Sequence, residues 1–295
     1  MIVTSAGCRA RPRCPSRVAT ALLALGATLA AAFPAAASSV PLDASCAVPD
    51  GFLAFPGRLD HLIGRARSGA EVKILAIGSS STEGHGASRP DHAYPARLAA
   101  ELAARLPTGR FTVINRGIGG EVASATAKRL LAEAQSSAPD LVIWQVGTND
   151  AVRGVASAEM IRTVEKGVDF LKARGIDVML MDPQFFPRIA TDAAYAGVVA
   201  RIGALALDEK VPVFRRFDAM RHWAGQPSPP PVLHTDAFHM NDLGYACVAE
   251  LLAEGLARRV EATGRSDAAV AVSAGGVPPP VAATGGDAAE AALTH

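Results

Sequence analysis

The sequence predicts an α/β fold in which a parallel sheet is covered on both faces by helices. Short, continuous apolar runs recur along the chain, and stretches of helical length with polar residues at helical spacing separate them. Continuous rather than alternating apolarity marks strands buried on both faces, and intervening helices make each pair of strands a βαβ unit. The composition agrees. Of 295 residues, 49% are hydrophobic but only 5% aromatic, so the core rests on Ala, Val, Leu and Ile.

Taken in order, Val72–Ile77 is the first apolar run, and Tyr94–Leu106 is the helix that carries the chain to the second, Phe111–Ile114. Val122–Gln135 leads to Leu141–Val146, Ala156–Arg174 to Ile176–Met181, and Ala193–Lys210 to Val211–Phe214. A last helix is expected over roughly Asp242–Val260. No internal repeat interrupts the pattern.

Residues 1–37 read as a signal peptide. Arg9, Arg11, Arg13 and Arg17 form a basic start, Ala19–Phe33 is an apolar stretch too short to span a bilayer comfortably, and Ala35-Ala36-Ala37 supplies a small-residue cleavage pattern. An uncleaved anchor is the other reading of this segment. Residues 38–262 are then the folded domain. Residues 263–295, rich in Ala, Gly and Pro without periodicity, are expected to be a disordered tail. With Cys8 and Cys14 removed with the signal, Cys46 and Cys247 remain. In an oxidising compartment they close a disulfide between the N-terminal segment and the last helix, or else they are two buried thiols.

Charge narrows the partners. Lys plus Arg total 29 against 28 Asp plus Glu, a net charge of +1, so no global field draws the chain to nucleic acid or to anionic membranes. Charged residues at 19% are too frequent for a multi-span membrane protein, and the high apolar content excludes global disorder.

In open parallel sheets ligands sit beyond the carboxyl ends of the strands, so the loops there carry the chemistry. Three successive loops hold glycine-rich polar clusters: Gly78-Ser79-Ser80-Ser81-Thr82-Glu83-Gly84, Asn115-Arg116-Gly117-Ile118-Gly119-Gly120 and Gly147-Thr148-Asn149-Asp150. A fourth cluster, His234 to Asp242, precedes the last helix. In it Asp236 lies three residues before His239, a spacing that can set a carboxylate beside one imidazole nitrogen and leave the other to take a proton. A serine on the tight turn after the first strand is a nucleophile for such a base. From the residues alone, Ser80 and Ser81 are both candidates.

These four clusters resemble, in order and spacing, the signature blocks of the SGNH hydrolases, the GDSL-type esterase superfamily. The resemblance covers roughly Leu53 to Val260. It implies a three-layer α/β/α sandwich with a five-stranded parallel sheet in flavodoxin-like order. It places Ser80 as nucleophile, Asp236 and His239 as its relay, and the N–H groups of Ser80 and Gly117 with the Asn149 amide as the oxyanion hole. Such preorganised donors contribute about 3–4 kcal/mol each to transition-state stabilisation. No cofactor and no metal are implied. The first block departs from the family pattern, because Ser79 stands where an Asp is usual.

The implied activity is hydrolysis of carboxylic esters by an exported serine esterase. Short acyl groups on carbohydrate or peptidoglycan are the expected substrates, with no nucleic-acid partner and no stable membrane association once the signal is removed. A lipolytic esterase or thioesterase acting on longer chains is the runner-up, with Phe185, Phe186, Trp223, Phe238 and Met240 as candidates for an acyl pocket. An acyltransferase would use the same triad. His234, Asp236 and His239 also read as a metal-ligand set, which would leave the serine and glycine clusters unexplained. His85, His92 and His222 are expected at the surface or rim. Gly117–Gly120 is not a dinucleotide loop, since Val122 occupies the place of its last glycine.

Overall fold

A computed structural model of the chain describes the backbone of residues 40–274 and the side chains of residues 40–263. The signal pattern over residues 1–37 and the tail beyond residue 274 lie outside the described residues.

The chain begins with short 3₁₀ turns and helix α1 (Asp60–Arg67), then enters strand β1 (Glu71–Gly78). A single turn of helix, α2 (Ser80–Glu83), and α3 (Tyr94–Arg105) connect it to β2 (Arg110–Gly117). Next come α4 (Ala123–Ser137), β3 (Leu141–Gln145), α5 (Thr148–Val152), α6 (Ser157–Lys172) and β4 (Asp177–Met181). The chain ends with α7 (Ala193–Asp208), β5 (Val213–Phe214), α8 (Arg216–Ala224) and α9 (Asp242–Ala274). The five strands form one sheet in the order β2-β1-β3-β4-β5, and every neighbouring pair is parallel. This is the flavodoxin-like order that the resemblance implied.

Alternate strand residues feed two separate cores, because successive side chains on a strand point to opposite faces. Val72, Ile74, Leu141, Ile143 and Met179 pack with α1, α3, α8 and α9 on one face. Leu75, Ile77, Val142, Trp144 and Leu180 pack with α4, α6 and α7 on the other. The result is three layers, as expected.

Three boundaries differ from the sequence reading. Strand β2 extends through Asn115 and Arg116 to Gly117, past the expected end at Ile114, because it is an edge strand whose polar residues face outward while the ladder continues to the Gly78–Gly117 pair. Strand β5 shrinks to Val213–Phe214, since Pro212 has no N–H for the ladder. Helix α9 runs to Ala274, twelve residues into the segment 263–295 expected as tail; its Ala-rich composition favours helix.

Cys46 and Cys247 are bonded, which decides between the two cysteine readings and ties the N-terminal segment to α9 across 201 residues of sequence. Among the described residues no helix is long and apolar enough to cross a membrane.

Candidate active site

The site is built where the sheet's connectivity reverses, at the carboxyl ends of β1, β2 and β3. Strand β1 ends at Gly78 and the chain turns at once into α2, with the Ser79 carbonyl accepting the N–H groups of Thr82 and Glu83 at 3.0 and 2.9 Å. Ser79 is buried, and its N–H and hydroxyl both donate to Oε1 of Gln145, the last residue of β3, at 2.8 and 3.0 Å. The position where the resemblance expects Asp therefore anchors the turn through a neutral side chain on the neighbouring strand. The next two residues divide by direction. Ser81 is buried and its hydroxyl donates to Gln184 Oε1 at 2.7 Å, so it faces the interior. Ser80 is only partly buried, and its Oγ lies 3.1 Å from Nε2 of His239.

His239 is presented by a tight loop. An antiparallel bridge pairs Leu233 with Met240, the His234 N–H donates to the His239 carbonyl at 2.8 Å, and Ala237 takes a left-handed φ of 53°. Asp236 organises that loop, because its Oδ1 accepts the backbone N–H groups of Phe238 and His239 at 3.0 Å each. Its other oxygen lies 2.6 Å from His239 Nδ1. Partial burial by itself would raise the Asp236 carboxyl, but the hydrogen bonds from the His239 ring and from these two N–H groups outweigh it and hold it at about 2. The carboxylate is thus ionised at neutral pH and fixes the tautomer with its proton on Nδ1, leaving the Nε2 lone pair toward Ser80.

The oxyanion side differs from expectation at one residue. Asn149, in the first turn of α5, lies beside the second loop and donates one amide hydrogen to the Glu121 carbonyl at 2.8 Å. Gly117 does not present a free N–H. It donates to its own loop, to Asn115 Oδ1 at 2.8 Å, and its backbone is packed so closely beneath α2 that an added Cβ would lie 2.0 Å from the Glu83 nitrogen. Its glycine identity serves that close approach. Gly120, three residues on, has a left-handed φ of 77° and adjoins the residue that Asn149 holds. Among the described residues, neither the Gly120 N–H nor the Ser80 N–H has a protein acceptor. Of the two glycines, the one the resemblance named, Gly117, has its N–H bonded within the loop, and Gly120 has the N–H that is left without a protein acceptor.

The second loop is held in place by Arg129 of α4. Its guanidinium bonds the Glu121 carboxylate and donates through Nη2 to the carbonyls of Gly78 and Arg116, at 3.3 and 2.7 Å. Asp150 is buried and accepts the Ala123 N–H at the start of α4 with both oxygens; burial pushes its carboxyl up. The sequence named Asp150 as the last residue of the third cluster but gave it no role, and it did not single out Arg129, since a single Arg on a helix carries no local signature.

Other candidates resolve differently. Of the five possible acyl-pocket residues, only Phe238 adjoins the site, with its ring 4.6 Å from that of His239. Phe186, Trp223 and Met240 are fully buried in the core, where Trp223 donates to the Ala47 carbonyl. Phe185 lines an apolar cavity of about 320 Å³ with Met220, Val232 and Leu233. His92 bonds Asp242 and Ser88, and His222 bonds Gln226. His85 is exposed, but its ring lies 4.2 Å from that of His239. The metal-ligand set read from sequence changes accordingly: His85, Asp236 and His239 bring potential ligand atoms within 4.8 Å of one another, with His85 in place of His234.

The model of the non-GDSL lipase-like family matches residues 45–262. Among curated proteins, the Esterase TesA of Pseudomonas aeruginosa is 31% identical over 108 residues, which are 35% of this chain and 53% of that protein. An arylesterase of Vibrio mimicus is 30% identical over 118 residues, 39% of this chain and 56% of that one. The chain thus spans about half the length of the curated relatives it matches. Among solved structures, a two-domain esterase active on acetylated mannans superposes with a TM-score of 0.58 and 25% identity, over 69% of this chain and 55% of that one.

Proposed function

The chain belongs to the non-GDSL lipase-like family, and from that premise we propose that it is an exported serine hydrolase of carboxylic esters. The observation that carries the reading is the continuous relay from Ser80 Oγ through His239 to Asp236, with separations of 3.1 and 2.6 Å. Nε2 of His239 takes the Ser80 proton as Oγ attacks the ester carbonyl, and Asp236 stabilises the imidazolium that forms. The N–H groups of Ser80 and Gly120 and the free amide hydrogen of Asn149 stabilise the oxyanion. His239 then protonates the departing alcohol, and water attacks the acyl-enzyme by the same route in reverse. Residues 1–37 and the Cys46–Cys247 bond support export to an oxidising compartment.

The substrate class is a short acyl ester, foremost O-acetyl, on carbohydrate or peptidoglycan. Support comes from the openness of the relay, whose Asp236 side chain is 36% exposed, and from the likeness to an esterase active on acetylated mannans. The apolar cavity at Phe185, Met220 and Leu233 favours the second reading, an acyl chain of greater length. Two measurements test the proposal together. A fluorophosphonate probe is expected to label the peptide containing Ser80, and acetate release from acetylated mannan and xylan is expected to accompany a steep fall in rate from p-nitrophenyl acetate to the decanoate. Labelling at another residue overturns the mechanism. A preference for decanoate overturns the substrate class.

A further inference from the structure

We propose that His85, Asp236 and His239 form a binding site for a borderline transition-metal cation, with Zn²⁺ as the prototype, and that occupancy switches the esterase off. The consequence for activity rests on the serine relay proposed above; the binding itself does not.

The donor set is two imidazoles and one carboxylate, the combination that suits Zn²⁺ and disfavours Mg²⁺ and Ca²⁺, which take oxygen ligands. One ligand atom from each residue already lies within 4.8 Å of the others. Ligands about 2 Å from a tetrahedral zinc are roughly 3.3 Å apart, so closure requires the ligand atoms to approach by up to about 1.5 Å. Asp236 is preorganised by the Phe238 and His239 N–H groups on one oxygen, while the bond between its other oxygen and His239 Nδ1 is the contact that a cation would replace. The movement is shared by the His239 ring and by His85, whose side chain is exposed and whose ring lies 4.2 Å from that of His239. The His85 backbone is anchored meanwhile, because its N–H donates to the Ser80 carbonyl and its carbonyl accepts the Tyr245 hydroxyl, both at bonding distance. The imidazole is therefore delivered to this place by the same loop that carries the nucleophile.

Coordination and catalysis compete for the same groups. A nitrogen lone pair of His239 given to a cation is unavailable to Ser80, or the ring is turned out of line with it. A carboxylate oxygen given to the cation no longer orients the imidazole. In the proposed relay His85 has no role, so it serves inhibition without serving turnover.

The test compares wild type, His85→Ala and His222→Ala, the last removing a histidine bonded to Gln226 outside the site. Zinc chloride is titrated calorimetrically into each protein and, separately, into assays with p-nitrophenyl acetate, with EDTA reversal and with magnesium and calcium chloride as controls. Wild type and His222→Ala are expected to bind one Zn²⁺ and to lose activity as it binds, reversibly and with no response to Mg²⁺ or Ca²⁺. His85→Ala is expected to keep its basal rate while its zinc affinity and its sensitivity to inhibition both fall about tenfold or more. Equal zinc affinity in wild type and His85→Ala overturns the site. Zinc that binds through His85 without inhibiting overturns the switch. If the chain hydrolyses no ester, the calorimetric difference still reads the site, so failure of the serine mechanism is distinguishable from failure of this proposal.

Discussion

Ser80 and Ser81 are adjacent, chemically identical and oppositely placed, so alanine at each should produce opposite phenotypes. The Ser80 hydroxyl bonds His239 Nε2 at 3.1 Å and is partly open to solvent. Removing it deletes the proposed nucleophile but leaves no buried partner stranded. The expected loss is about 10⁶-fold in kcat, or about 8 kcal/mol of transition-state stabilisation, with stability changed by no more than about 0.5 kcal/mol. The Ser81 hydroxyl is buried and donates to Gln184 Oε1 at 2.7 Å. Its removal strands that acceptor at a cost of about 1–3 kcal/mol, or a fall in Tm of about 2–4 °C per kcal/mol for a domain of this size. Gln184 stays oriented through its Nε2, which donates to the Phe238 carbonyl at 2.9 Å, so kcat for Ser81→Ala should stay near that of wild type. Steady-state hydrolysis of p-nitrophenyl acetate and urea unfolding of both variants read the two axes separately. Folded Ser81→Ala without activity, or Ser80→Ala retaining more than a trace, would refute the assignment.

Three further outcomes follow from the same geometry. Asp236→Asn is expected to lower kcat about 10³–10⁴-fold without unfolding the loop. The Asp236 carboxyl is held at about 2, below its ordinary value, so it titrates only as pH falls from about 4 toward 2 and its stabilisation is complete above that window. The pH profile of wild-type kcat/KM should therefore show no limb from this group above pH 5; a limb there that vanishes in the variant contradicts the reading. Asn149→Ala should cost about 10²–10³ in kcat with KM little altered, and a pure KM effect would remove Asn149 from the oxyanion hole. Replacing Cys46 and Cys247 together by Ala opens a loop of 201 residues, for which chain entropy sets an upper loss of about 5 kcal/mol. Urea unfolding measures it, and a loss below about 1 kcal/mol shows that the bond contributes little.

The fold was legible because its signals are local. Val72–Ile77 and Leu141–Val146 are continuous apolar runs, and they are β1 and β3 to within a residue or two. Elements held by tertiary context were not. Helix α8, Arg216–Ala224, carries arginines and a histidine without an obvious stripe, yet it buries Phe217, Met220 and Trp223 against the first core. The single turns α2 and α5 are too short for periodicity, and they exist because strands end where a side chain must be turned toward the site. The end of α9 was missed for the opposite reason, since an Ala-rich stretch reads equally as weak helix or as tail.

Within the site, local chemistry was legible and register was not. Asp236 and His239 find each other through a loop that the Asp itself organises, so a spacing of three residues was enough. The second block contains both Gly117 and Gly120, the resemblance pointed to Gly117, and spacing alone cannot tell which N–H is free. That is decided by the Gly78–Gly117 pairing, which makes Gly117 the last ladder residue and presses it beneath α2, and by Asn115, whose side chain takes up its N–H. The Ser79 departure has the same character. Read alone it weakens the turn, but the partner of Ser79 is Gln145, 66 residues away at the end of β3. A carboxylate at position 79 could only accept hydrogen bonds, whereas Ser79 donates its hydroxyl hydrogen to Gln145 Oε1. Ser79 and Gln145 thus act as a matched donor and acceptor, and the turn that aims Ser80 at His239 stands without the family's Asp.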